Sequence, residues 1–216
     1  MFIGRKPTDA PLTSSDVTDG IITNAKLAQD IISGDTALAT APAATDEFLV
    51  SDAGVLKRVD ASLVGRGKVL QSVSVLSSAL VTGSSNVIPE DDTIPQNDEG
   101  TEVMTLAITP TSSTSELHIF VNAFGSHSAS PRQGIALFVD STAGALAFSD
   151  SSTAGATTMT SVSLNHVVTS ASTSARTYKV RMGGMASSGT LSFNGQSGAR
   201  KFGGVASSSI IIMEIA

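Results

Sequence analysis

The chain has 216 residues, a formal net charge of −6, 4% aromatic residues, no Trp, one Tyr and no Cys. This length can bury a core in one or two domains. With no basic run to track a phosphate backbone, few aromatic stacking platforms and no thiols, the composition argues against nucleic-acid binding, disulfides and thiolate metal sites.

Residues 1–40 read as an extended segment, with Pro7 and Pro11 holding the start open. No apolar run approaches a membrane span, and no signal-peptide core follows Met1 to Pro7. An approximate repeat places Ile21-Ile22 and Ile31-Ile32 after Asp-Gly and Asp, and Thr23 to Asp30 fits a short capped helix. Four isoleucines are too few for a core in one chain but can be covered by other copies; the alternative is a flexible leader.

Residues 41–67 read as a small neck. Glu47 to Val50 and Val55 to Val59 flank a turn at Ser51-Asp52-Ala53-Gly54, a β-hairpin pattern. An isolated hairpin is marginal in water, so a neighbour is expected to cover it. Gly65-Arg66-Gly67 reads as a hinge.

From Lys68 the period is two. Strands are predicted at Val69 to Val75, Glu102 to Thr109, Glu116 to Phe124, Gly134 to Asp140, Ala145 to Phe148 and Thr157 to Val168, with Pro110 ending the second. Tyr178, Val180 and Met182 alternate with Lys179 and Arg181, and Leu191 to Phe193 stops at Asn194-Gly195, which predicts a hairpin turn. Ile210 to Met213 is apolar on both faces and is expected to be buried on both, within the chain or near a subunit interface. Eight to ten strands at this spacing predict an all-β fold, an antiparallel jelly-roll sandwich over residues 68–216.

Four stretches resemble the C-terminal domains of phage tail fibres and related virion spikes. They are Ile94 to Gly100, Ala136 to Asp140, Tyr178 to Arg181, and Phe193-Asn194-Gly195 with Phe202-Gly203-Gly204. Ile22 to Ala28 and Thr45 to Gly54 resemble the leader and stalk of the same proteins. Such tips are similar in outline to the trimeric jelly-roll heads of complement- and cytokine-like proteins. The resemblance implies a homotrimer, an N-terminal segment docked on other virion proteins and a head facing a host surface glycan or protein.

Little reads as chemistry. Asp91, Asp92, Asp98 and Glu99, with Glu90, form an acid loop whose oxygens suit calcium, but the spacing lacks the Asp-x-Asp-x-Asp-Gly pattern, and a solvated turn is the preferred reading. The same carboxylates in a glycan-cleaving spike are disfavoured by the scarcity of aromatics. His118, His127 and His166 have no metal-ligand spacing, and no Gly-x-Ser-x-Gly elbow accompanies the many serines. Arg132, Arg176, Arg181, Arg200 and Lys201 read as salt-bridged strand faces rather than a glycan-binding patch.

The chain is therefore expected to be non-enzymatic, with no catalytic residue, cofactor or metal assigned, and without nucleic-acid binding or membrane insertion. The expected role is a phage virion fibre or spike that attaches to the host. The receptor-facing loop is expected at residues 125–133, with His127, Arg132 and Gln133, and at 149–156. Tyr178, Phe193, Ile211 and Met213 are expected at the trimer interface. The alternatives are a head decoration or baseplate protein without a receptor, a glycan-cleaving spike, and a cellular adhesin, which lacks the expected signal peptide.

Overall fold

In the computed structural model the described residues are 38–64, 68–84, 87–185 and 189–216. The extended segment, its repeat and helix, and the glycine hinge fall outside them, apart from residues 38–40. The chain divides into two compact units, Met1–Val64 and Gly65–Ala216.

In the first unit, β1 (Glu47–Asp52) pairs antiparallel with β2 (Val55–Asp60). Ala53 and Gly54 turn the chain at φ of 50° and 84°, the left-handed pair that a two-residue hairpin requires. Asp52–Lys57 and Glu47–Arg58 ion pairs tie the strands at their ends. Phe48, Leu49, Val50, Val55 and Leu56 are all exposed, so the described part of this unit has no core of its own.

The second unit holds β3 (Val69–Ser77), β4 (Val81–Ser84), β5 (Thr101–Ile108), β6 (Glu116–His127), β7 (Arg132–Val139), β8 (Ala147–Ser152), β9 (Thr160–Thr169), β10 (Arg176–Gly184), β11 (Thr190–Phe193), β12 (Gly195–Gln196), β13 (Ala199–Arg200) and β14 (Ser208–Ile215). One sheet has the order β5-β10-β7-β8. The larger sheet is built on β6. One edge of β6 pairs with β9; the other takes β14 along residues 116–122 and β11 along 125–127. β3 then lies beside β14, and β4 beside β11. Taken as four long ribbons, this sheet reads β3/β4, β14/β11, β6, β9. All named pairings are antiparallel, and from β3/β4 onward the ribbons alternate between the sheets except at the β7–β8 hairpin, which is the jelly-roll sandwich.

The inner faces supply the core. Met104, Leu106, Ile108, Ile135, Leu137, Val139, Tyr178, Val180 and Met182 come from one sheet. Leu117, Ile119, Val121, Val162, Leu164, Leu191, Phe193, Ile210 and Ile212 come from the other. β14 is thus a central strand with one face in the core. Its other face carries Ile211, Met213 and Ile215, each half-buried.

Two polar residues fix this arrangement. Asn194 is fully buried, at φ 57°. Its Nδ2 donates to the carbonyls of Ser77 (2.8 Å) and Ala79 (3.1 Å), and its Oδ1 accepts from Ser208 Oγ (2.7 Å). Asn194-Gly195 is therefore not the expected hairpin turn; it ties the β3–β4 junction to the start of β14. The hairpin turn lies at Ser197-Gly198, between β12 and β13, again with both φ positive. The second residue is Glu214, also fully buried on β14. Its carboxylate accepts from Thr111 N (2.8 Å), Ser112 N (3.1 Å), Ser115 Oγ (2.6 Å), Thr111 Oγ1 (3.0 Å) and Gln71 Nε2 (2.6 Å).

Burial alone would raise the Glu214 pKa. The donors of Ser115, Gln71, Thr111 and Ser112 outweigh it and hold the group at about 2. Its stabilisation is complete above the ordinary value of 4.5 and is lost as pH falls towards 2. Glu214→Gln keeps the volume but turns an amide donor towards these donors. In urea unfolding at pH 7 it is expected to cost about 3 kcal/mol and to remove this acid-side loss of stability. An unchanged midpoint would contradict the role given to Glu214.

Candidate interaction surface

The outer face of the larger sheet follows from the register. Leu76, Ser209, Asn122 and Ser163 form one cross-strand row; Ser74, Ile211, Phe120 and Asn165 form the next. Ser72, Met213, His118 and Val167 follow, then Val69, Ile215, Glu116 and Thr169. A solvated antiparallel face normally alternates to polar. Here Leu76 is 75% exposed, Val167 51%, Val69 43% and Phe120 40%, beside the half-buried Ile211, Met213 and Ile215. The serines of β3 keep one flank low, and among the described residues the ionic contact on this face is Glu116 to His118 Nε2 at 3.2 Å. An apolar patch of this kind suits a protein–protein contact.

Of the four side chains expected at a subunit interface, Ile211 and Met213 lie on this face. Tyr178 and Phe193 do not: both point between the sheets, 2% and 0% exposed. Tyr178 sits opposite Leu106 and Val139, and Phe193 opposite Val81 and Gly125, so the sandwich itself covers them.

The expected receptor-facing loop is also corrected. β6 runs three residues beyond its clear alternation, because Gly125 lets β11 approach: a Cβ there would meet the Ser192 carbonyl oxygen at 2.8 Å. His127 is consequently in a strand and fully buried, and Gln133 in β7 is fully buried too. Arg132 is half-buried and engaged with Asp150 (2.7 Å) and Glu90. In the second expected loop, residues 149–152 belong to β8.

His127 serves the fold instead. Its Nδ1 accepts from Ser130 N (3.0 Å) and Ala129 N (3.3 Å), which puts the proton on Nε2 in the neutral ring. A Cβ at Gly184 or Gly189 would meet its Cε1 at 2.8 or 2.7 Å, so glycine is required at both. Burial holds the imidazole below its ordinary value of 6.5. A second proton would set N–H against two N–H donors. Stability is therefore expected to be complete above pH 6.5 and to decline as pH falls below it. His127→Asn, which keeps an acceptor near Nδ1, is expected to flatten that decline. A wild-type stability that does not change between pH 7 and about 5.5 would contradict this account.

The acid loop does not gather its carboxylates. Asp91 accepts from Thr93 Oγ1 and from Thr93 N (2.9 Å), contacts that lower its pKa. Glu99 accepts from Gln96 N (2.9 Å). Asp92 and Asp98 are exposed, and among the described residues no three His, Asp or Glu side chains converge as metal ligands would.

The loop is instead strapped over the outer face of the smaller sheet. Asn97 N donates to Ala143 O (2.8 Å), Ala145 N to Pro95 O (2.9 Å), and Arg181 to the carbonyls of Glu99 (2.5 Å) and Gly100 (2.8 Å). Ile88, Ala136 and Phe138 form a small second core beneath it. Three of the four stretches that resemble fibre heads meet here, around a cavity of about 330 Å³ between the loop and the β5–β10–β7 face. Glu102, Lys179 and Arg181 line it, and Glu102 and Lys179 were not singled out from the sequence as site residues. The signal available was the Lys179/Arg181 spacing, which puts two cations on one face of a strand.

No protein-family model matches the chain, and no curated protein matches its sequence. Among solved structures, the chain is similar to Eiger TNF from S. frugiperda, at 13% identity and a TM-score of 0.40, over 67% of this chain and 93% of that one. It is also similar to the VP2 subviral particle of infectious bursal disease virus, at 12% identity and a TM-score of 0.28, over 79% of this chain and 42% of that one. The fold assignment rests on the strand order, not on these likenesses. No helix among the described residues is long and apolar enough to cross a membrane.

Proposed function

We propose that the chain is a virion structural protein: a homotrimeric fibre or spike of a bacteriophage that mediates attachment to the host surface. The observation that carries this reading is the apolar outer face centred on Ile211 and Phe120, left open to solvent in one chain. Two further copies presenting the same frame cover it in a closed ring. The core-less β1–β2 hairpin supports the same reading, since symmetry mates supply the cover it lacks. The sequence stretches that resemble fibre heads give the particle context, with the N-terminal segment docking on other virion proteins. The head acts without catalysis, and attachment gains strength from three weak sites engaged together.

The second reading is a decoration or baseplate protein with the same fold and no receptor. An antibody raised against residues 68–216 separates the two. It is expected to label projections on purified particles by immunogold microscopy and to slow adsorption to host cells. Labelling spread evenly over the shell, with adsorption unchanged, favours the decoration reading. Particles without label contradict both.

A further inference from the structure

The cavity on the outer face of the smaller sheet has an uneven charge balance. Asp140 on its rim is committed: Oδ2 accepts from Arg176 Nε and Oδ1 from Thr177 N, each at 2.8 Å. Lys179 and Arg181 have no carboxylate at hydrogen-bonding distance. Lys179 Nζ and Arg181 Nη1 share the one carboxylate of Glu102, each at 3.9 Å, beyond hydrogen-bonding distance. Two cations facing one carboxylate leave an excess of one positive charge. Arg181 cannot swing out to solvent, since its Nε and Nη2 are bound to the carbonyls of Glu99 and Gly100 and its side chain is only 17% exposed.

The rest of the lining selects the class of anion. Glu102 holds Thr105 Oγ1 through Oε1 (2.9 Å), which leaves Oε2 as an acceptor facing the cavity cations. Asn97 donates through Nδ2 to Thr142 O (3.1 Å), which leaves its Oδ1 to accept. Acceptors so close to the cations repel any anion, and an anion that also brings several hydroxyl donors offsets this by bonding to them, as phosphate or sulfate cannot. The Ser141 hydroxyl adds a rotatable donor and acceptor, and the ring of Phe138 gives an apolar floor. A volume of about 330 Å³ is at the small end of ligand pockets and holds one or two sugar rings.

We propose that this cavity binds an acidic sugar, a hexuronate unit of a surface polysaccharide. Its carboxylate lies between Lys179 and Arg181, and its ring hydroxyls bond Glu102, Asn97 and Ser141. The proposal rests on the attachment reading only for the origin of the sugar; the chemistry of the cavity stands apart from it.

The test is calorimetric titration and ligand-observed NMR of the full-length protein with glucuronate and galacturonate, against glucose, acetate and inorganic phosphate. Both uronates are expected to bind, and the three controls to bind at least about tenfold more weakly. Lys179→Gln is expected to weaken uronate binding about tenfold, as is added salt by a smaller factor. Ser141→Leu obstructs the cavity without changing its charge and is expected to have a similar effect; it is a second probe should Lys179→Gln fold poorly. No uronate binding at about 20 mM, a range far weaker than ordinary site affinities, overturns the proposal. So does phosphate or acetate binding as tightly as the uronates, or equal affinity in wild type and both variants. Full-length wild-type protein that adsorbs to host cells without binding uronates sinks the cavity and leaves attachment standing. Uronate binding by full-length protein that does not adsorb does the reverse.

Discussion

A carboxylate taken out of water fixes the register of β14, and with it both faces of the larger sheet. Glu214 is fully buried, and its oxygens are satisfied only where Thr111, Ser112, Ser115 and Gln71 meet. A slip of one residue would exchange the faces of the strand, placing Ile211 and Met213 in the core and Glu214 outside. Thr111, Ser112 and the buried Ser115 would then lose their shared acceptor, and a buried donor left unpaired costs about 1–3 kcal/mol. Hydrophobic pattern alone does not choose between the two registers, because Ile210 to Met213 is apolar on both sides. The polar anchor does choose. It explains why a run of aliphatic side chains can sit centrally and still present half of itself outward.

The strands themselves were legible. Alternation, Pro110 and the Gly-containing turn at Ala53-Gly54 mark elements that the structure contains, because those signals act within a few residues. What the sequence concealed depends on contacts distant along the chain. Asn194-Gly195 has the composition of a hairpin turn, yet the Asn194 amide reaches carbonyls more than a hundred residues away and becomes a buried hub. His127 looks like a polar loop residue until Gly125 and Gly184 allow two backbones to close around it. Tyr178 and Phe193 were legible as strand residues but not as inward-facing ones, since the direction of a face depends on which sheet it meets. The cavity was hidden for the same reason: Glu102 faces Arg181 only through the pairing of β5 with β10.

Charge is distributed according to burial. Arg132 and Arg176 are neutralised by Asp150 and Asp140 at the margins of β8 and β7, where exposed pairs contribute little to stability. Arg181 is largely enclosed by the strapped loop and is held by backbone carbonyls rather than by a close carboxylate. The smaller sheet therefore has a covered, polar outer side with a cavity, and the larger sheet an open, apolar one. This difference between the two outer faces underlies both proposals: a small polar ligand on one and copies of the chain on the other.

The claim that other copies cover the apolar face is tested most directly by the solution mass of the full-length protein, measured by light scattering beside Ile211→Asp. The chain weighs 21.9 kDa. The account predicts a wild-type mass of about 66 kDa, three copies in a closed ring, and a folded monomer for the variant, whose new charge lies on the outer face. A wild-type protein that stays at 21.9 kDa across the concentration range would contradict it.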